Sequence, residues 1–313
     1  MCVCSSGSRS VSPVVDARRE DWSFDPFKLT EREGYFYGRG TTDNKVMAAA
    51  FVANLIRYKQ EGCTPERDII VALEADEEIG DAMGLGIRWL LTHRPLIDAE
   101  FALNQGGRVG LKAGKPIWNS VQVAEKVFIS YKLEATGRSG HSSLPTKDNP
   151  IHRLAEALAR LSKFSFPFKL NEITRTFFTR AAGLEKQQTA ADMRAIAAGR
   201  PDLDALSITR LSANLIYNAQ MRTTCVATQI QGGHAVNALP QRASATVNCR
   251  VLPGEPIDEV HATPRRVLAD DGISITPLGG PVLSTPSPLH QEIMQAVEKL
   301  TAESGPATLS SLP

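Results

Sequence analysis

Net charge is nearly absent from this sequence: 35 Lys and Arg stand against 34 Asp and Glu, leaving a formal charge of +1. No long-range field draws such a chain to nucleic acid or to an anionic membrane, so neither partner is expected. Cysteine is scarce as well. Cys2, Cys4, Cys63, Cys225 and Cys249 are odd in number and scattered, which argues against a disulfide framework. Cys2 and Cys4 make only a C-x-C, too little for a metal knuckle. No apolar run approaches the roughly 20 residues of a bilayer-crossing helix, and Met1 to Pro13 lacks the apolar stretch of a secretory signal. The location expected is cytoplasmic, with loss of an N-terminal signal left open. What remains is an ordinary globular composition, 42% apolar and 22% charged, which excludes disorder, collagen and coiled coil. At about 150 residues per domain, 313 residues suggest about two domains.

The first twenty residues are Ser-rich and aperiodic, so order is expected from near Trp22. Val46, Met47, Ala50, Phe51, Ala53 and Leu55 recur at helical spacing, predicting a helix from Lys45 to Tyr58 with a stop at Glu61-Gly62. Ile69 to Leu73 is an apolar run of buried-strand type, followed by a helix near Gly86 to Thr92 and a strand near Phe101 to Leu103. That alternation predicts a parallel α/β layer. From Val121 to Ala135 the pattern alternates and reads as one long antiparallel strand. A helix (Asn149 to Leu161), a helical stretch (Phe164 to Met221), strands Thr223 to Ile230 and Ala243 to Val251, a helix (Pro256 to Leu268) and a strand (Ile273 to Thr276) follow. This is the order of a split βαβ unit with a helical insertion. One more helix is expected over Leu289 to Glu303.

Two clusters could carry chemistry. Asp76-Glu77-Glu78 directly follows a buried strand, where open α/β sheets bind ligands. Like charges about 4 Å apart repel by roughly 4 kcal/mol at an effective dielectric near 20, so packing them there calls for a cation or a raised pKa. An acidic helix start favoured by the macrodipole is the simpler reading. The second cluster is Gly38 to Lys45, a turn that offers the Asp43 carboxylate at a helix entrance. Asp43 could bridge cations or simply act as an N-cap.

Taken together, Gly38 to Lys45 and Ala75 to Gly80 resemble the paired signature of the dinuclear-zinc exopeptidases and amidohydrolases. Glutamate carboxypeptidase, carnosine dipeptidase, aminoacylase and succinyl-diaminopimelate desuccinylase are members. The resemblance extends through Trp22 to Phe27, Gly140 to Ser143, Gly232 to Pro240 and Arg250 to Gly254, in the family's order, from about Val14 to about Glu303. It implies an α/β catalytic domain with a mainly parallel sheet, interrupted by an α+β, ferredoxin-like lid or dimerisation domain. Residues 22–117 and 279–313 would form the catalytic domain and 118–278 the lid, with 1–21 a disordered or aberrant leader.

By the same resemblance, Asp43 bridges two zinc ions, Glu78 ligates one, and Glu77 is the general base. His141 steadies the oxyanion, and Asn237 and Arg250 hold the substrate carboxylate. The substrate implied is a small peptide or N-acyl amino acid, and the assembly a homodimer through the lid. The sequence departs from the family at three places. Aligning Val14-Val15 puts Val11 and Pro13 where a zinc-binding His and its orienting Asp belong. Gln105 replaces a carboxylate ligand, and the last ligand histidine has no counterpart. The family's two zinc ions become one or none, as expected of a shortened or frameshifted reading frame. The alternative expectation is a catalytically inactive, dimerising or carboxylate-binding remnant.

Overall fold

Asn44 starts the first long helix, α1 (Lys45–Gln60): its side-chain oxygen accepts from the amide of Met47 at 3.4 Å. This is seen in a computed structural model that describes residues 2–6, 17–74, 85–199, 201–280, 285–303 and 308–312. Two compact units divide the chain, residues 1–106 and 107–313.

The first unit carries a three-stranded parallel sheet. β1 (Cys2–Ser6) lies between β4 (Ile70–Glu74) and β5 (Ala102–Asn104). Parallel neighbours need crossovers, and α1 and α2 (Leu85–Thr92) supply them. Cys2–Ser6, in the stretch that the sequence reading set ahead of the ordered region, is therefore the middle strand. α1 ends where predicted to within a turn, at Gly62, whose φ of +68° suits glycine. Between β1 and α1, the strands β2 (Thr30–Arg32) and β3 (Tyr35–Tyr37) form a hairpin. Its two turn residues, Glu33 and Gly34, have φ of +53° and +80°, the left-handed pair that matches strand twist.

The second unit opens with β6 (Val109–Lys112) and β7 (Lys115–Gln122), which pair antiparallel, while β14 (Thr308–Leu312) adds to β7 in parallel. Next comes a four-stranded antiparallel sheet in the order β10 (Thr224–Gly232), β12 (Arg242–Val251), β8 (Val127–Thr136), β13 (Ile273–Leu278). With α3 (Pro150–Lys163) and α8 (Ile257–Leu268) it completes the expected β-α-β-β-α-β order. Alternate residues of β8 and β12, among them Tyr131, Leu133, Val247 and Cys249, are buried under Leu154, Ala157 and Leu161 of α3 and Val260 and Leu268 of α8. The α3 residues recur at i, i+3 and i+7, one helical stripe.

Inserted between α3 and β10 are α4 (Glu172–Ala181), α5 (Gln187–Ala198), α6 (Pro201–Ser212) and α7 (Leu215–Met221). These have a core of their own around Phe178, Met193, Ile196 and Met221. The tiny strands β9 (Gly140–His141) and β11 (Ala238–Leu239) pair with each other, and α9 (Gln291–Glu303) precedes β14.

Two expectations need correction. Val121 to Ala135 is not one strand. It breaks at 123–126, because Val123 gives its carbonyl to the amide of Ser287 at 2.7 Å and Lys126 turns inward to the carbonyls of Ala219 and Arg222. Cysteine counting also misled: Cys225 and Cys249 face each other across β10 and β12 and form a disulfide.

Candidate functional site

Asp43 and Asn44 are adjacent residues that can both cap a helix, and the structure gives the cap to Asn44. Capping therefore does not explain Asp43. Its carboxylate is exposed and makes no hydrogen bond or ion pair among the described residues. The turn leading to it is closed by the Thr41 hydroxyl, which donates to the Gly38 carbonyl at 2.9 Å, and by the Lys45 amide on the Gly40 carbonyl at 2.8 Å. Glu77 and Glu78 lie outside the described residues, as do Val11 and Pro13. Gln105 follows β5 and is half-buried.

In the second unit the structure joins His141 to Asn237. His141 faces Ala238 in the β9–β11 ladder, and the amide of Ser142 donates to the Asn237 carbonyl at 3.0 Å. Gly137 lets the chain turn out of β8 here: a Cβ would come within 2.8 Å of the Pro150 ring. The His141 ring has a defined orientation. The amide of Ser143 donates to Nδ1 at 3.2 Å, and Ser143 Oγ lies 2.8 Å from the same nitrogen. A ring nitrogen that accepts from an amide carries no proton, so neutral His141 bears its proton on Nε2 and presents a donor there. Ser143 is a residue that sequence reasoning missed; a hydroxyl two residues after the histidine was the available signal.

Arg250 is not part of that group. It lies eight residues beyond Arg242 on β12, roughly 27 Å away at about 3.4 Å per residue. Its guanidinium sits over the Phe128 ring at 5.5 Å from the centroid. Near it is a second residue that the sequence did not announce, Lys126. Its ammonium donates to the Ala219 and Arg222 carbonyls at 3.0 and 2.8 Å. Burial pulls its pKa down to about 8; Glu255 opposes the shift and Arg250 adds to it.

Among the described residues no three His, Cys, Asp or Glu side chains come together to hold a metal ion. The described donor set offers Asp43 alone, and that does not fit a zinc pair, which needs about three protein ligands at each catalytic ion. No helix among the described residues is long and apolar enough to cross a membrane.

Comparison with known proteins gives a consistent picture. A family model described as peptidase family M20/M25/M40 matches residues 13–311. The N-fatty-acyl-amino acid synthase/hydrolase PM20D1 of Mus musculus is 29% identical over 268 residues, covering 84% of this chain and 52% of that protein. A probable carboxypeptidase S-like 2 of Dictyostelium discoideum is 30% identical over 279 residues, covering 86% and 53%. The chain thus spans about half the length of these relatives. Among solved structures, human carnosine dipeptidase 1 superposes with a TM-score of 0.64 at 16% identity, covering all of this chain and 69% of that one. The fold, with its mixed helices and sheets, is that of the M20 peptidases.

Proposed function

The chain belongs to peptidase family M20/M25/M40, and from that premise we propose that it hydrolyses the amide bond of a small peptide or N-acyl amino acid bearing a free carboxylate. The observation that carries the reading is the division of labour at the head of α1. Asn44 caps the helix and leaves Asp43 unengaged, and an exposed carboxylate with no structural task is what a ligand or substrate site requires. Relatives named for N-fatty-acyl-amino acid hydrolysis and for carboxypeptidase activity agree with the substrate class.

In this reading Glu77 takes a proton from the attacking water. The Nε2 proton of His141 is donated to the oxygen on which negative charge develops, a preorganised contact of the oxyanion-hole kind. Asn237, fixed beside His141 by the ladder, and Arg250 of the partner subunit in the proposed homodimer hold the substrate carboxylate, since within one chain the two residues stand at opposite ends of β12; a guanidinium is suited to a bidentate grip. The family's enzymes are generally zinc-dependent, and Asp43 and Glu78 are the metal donors this sequence retains.

The test is to purify the chain, add zinc, measure bound metal and assay a panel of dipeptides and N-acyl amino acids. Near-stoichiometric zinc with turnover abolished by Glu77→Gln is the expected result. No retained zinc together with no turnover would end the reading.

A second reading is favoured by Val11, Pro13 and Gln105, which occupy positions where metal ligands and their support are expected. It is a non-catalytic homodimer that binds carboxylates through Arg250, built on the four-stranded sheet as a dimerisation domain. Strand β10 is the edge of that sheet and exposes Val226 and Ile230 at 61% and 63%. A metal-independent dimer by light scattering that binds dipeptide through Arg250, loses it in Arg250→Ala and turns none over with zinc added distinguishes it from the enzyme.

A further inference from the structure

The Arg250 guanidinium lies over the Phe128 ring and makes no hydrogen bond or ion pair among the described residues. A second cation stands beside it. Lys126 directly precedes β8 and Thr224 opens β10, and β12, the strand of Arg250, runs between those two strands. The Lys126 ammonium nevertheless lies 3.5 Å from the Thr224 hydroxyl. Its stem therefore crosses β12 just past Val251, whose partner Val127 ends the ladder of β8 and β12. Thr224 is the direct partner of Arg250, and paired residues point to the same side of a sheet. Ammonium and guanidinium thus share one face and one end of the sheet.

The acids nearby are already engaged. Glu255 pairs with Lys169 at 2.9 Å and accepts from the Thr223 hydroxyl, Lys169 also meets Glu259 at 3.7 Å, and Glu125 accepts from the Gln122 side-chain amide at 2.9 Å. Arg222 adds a third cation, its guanidinium bound to the Phe166 carbonyl and the Ser212 hydroxyl. The three protons of Lys126 are taken up by the Ala219 and Arg222 carbonyls and the Thr224 hydroxyl, so Lys126 has no donor left to grip a ligand. What it supplies is charge, and a tie between the strands that flank Arg250. Two like charges on one face repel, and an anion seated on Arg250 relieves that repulsion. The same closeness shows in the pKa of Lys126, which Arg250 helps burial to lower.

We propose that Lys126 is a positioning residue for the substrate: it fixes the surroundings of Arg250 and lends it the second positive charge that tightens its hold on a carboxylate. The proposal rests on the reading of Arg250 as the carboxylate binder and deepens it. The sign of the pH dependence follows. Lys126 is charged below about pH 8 and neutral above it, whereas a guanidinium keeps its charge throughout. An anion on Arg250 favours the charged lysine, so carboxylate affinity is full near pH 7 and falls as the pH rises through 8. The other charged groups that face Lys126 are Glu255 with its partner Lys169, and Arg222. Carboxylates and guanidinium groups titrate far from that window, and Glu255 holds the Lys169 ammonium above its ordinary value.

The test is a binding titration of the full chain, in EDTA and without zinc, with N-acetylglycylglycine and with its C-terminal amide, at pH 7 and pH 9.5. Neither ligand carries a titrating amine. Wild-type affinity for the acid is expected to fall about three- to tenfold between the two pH values, and the amide is expected to bind more weakly without that step. Lys126→Arg, which keeps the charge, binds the acid tightly at both pH values, and Lys126→Met binds it weakly at both. Equal wild-type affinity at the two pH values overturns the proposal, and that measurement needs no variant to fold. So does a pH step that persists in Lys126→Met or in Lys126→Arg, since another group then titrates. Binding that Arg250→Ala leaves intact overturns the proposal together with the role of Arg250. Binding lost in Arg250→Ala while both Lys126 variants match the wild type overturns the proposal alone. Neither metal nor turnover enters the titration, so a chain that binds as expected and hydrolyses nothing retires the hydrolase reading and leaves Lys126 its role beside Arg250.

Discussion

His141 and Ala238 face each other in an antiparallel ladder two residues long, which the Ser142 amide extends to the Asn237 carbonyl at 3.0 Å. Two exposed residues from distant parts of the sequence, His141 and Asn237, are thereby brought to one backbone ladder, with the His141 Nδ1 already engaged by Ser143. Nitrogen-15 NMR of the neutral imidazole is expected to report the proton on Nε2. In turnover assays His141→Ala is expected to lower kcat by about 100–1,000-fold, the usual cost of one oxyanion donor. Asn237→Ala, which removes a carboxylate contact, should act mainly on KM. Equal loss in KM alone for both variants would place His141 in binding and not in the chemical step.

The motifs on both sides of that ladder are legible in the sequence, but their pairing is not, because nothing local couples Gly140-His141 to Ala238-Leu239. α3, with one clean 3.6-residue stripe, and α1, a long and mostly apolar run without a buried face, are both readable nearly to their ends. The break between β7 and β8 is invisible for a physical reason. Val121, Val123, Val127 and Ile129 keep the same two-residue parity, so the alternation runs on while the backbone changes sheets. The cap of α1 is ambiguous because Asp43 and Asn44 are both competent, and only the geometry chooses. Asp76, Glu77 and Glu78, the strongest acidic signal in the sequence, fall outside the described residues.

Cys225 and Cys249 are direct partners across β10 and β12, 24 residues apart in sequence. Cys249 is fully buried in the sheet core. A closed loop of that size is worth about 3 kcal/mol. Reduction with dithiothreitol, or Cys225→Ser, is expected to lower the urea midpoint of the second unit by a corresponding amount. An unchanged midpoint under reducing conditions would mean that the two sulfurs stay as thiols in the purified protein.

Asp192 is the anchor of the helical insertion. Its side chain is only 3% exposed; it accepts from Arg210 at 2.7 and 2.6 Å, from Gln188 at 2.9 Å and from Ser207 at 3.0 Å. Arg210 is the main cause that holds its pKa down near 2, burial pushing the other way and Gln188 and Ser207 assisting. A depressed carboxylate pKa stabilises the fold above the unfolded value of about 3.9, and that stability is lost as pH falls toward 2. Asp192→Ala leaves the buried Ser207 hydroxyl without its acceptor, whereas Arg210, 46% exposed, can turn to solvent, and the change is expected to cost about 1–3 kcal/mol. Circular dichroism of the helices during acid titration should show the wild type failing only below about pH 4, with the variant already destabilised at neutral pH.

Lys126 behaves in the opposite sense. It joins β8 to the end of α7 through two carbonyls, yet burial makes its charge costly and brings its pKa to about 8, against an ordinary 10.5. Between those values the unfolded chain binds more protons than the native one, so stability rises with pH. Raising the pH from 8 to 9.5 is therefore expected to add about 1–2 kcal/mol through this residue. The rise should vanish in Lys126→Met, which keeps the stem and removes the titrating group. Urea denaturation of both proteins at the two pH values decides the matter. A parallel rise in the variant would assign the effect to other groups, and a fall in the wild type would mean that the two carbonyls and Glu255 hold the ammonium charged more firmly than burial penalises it.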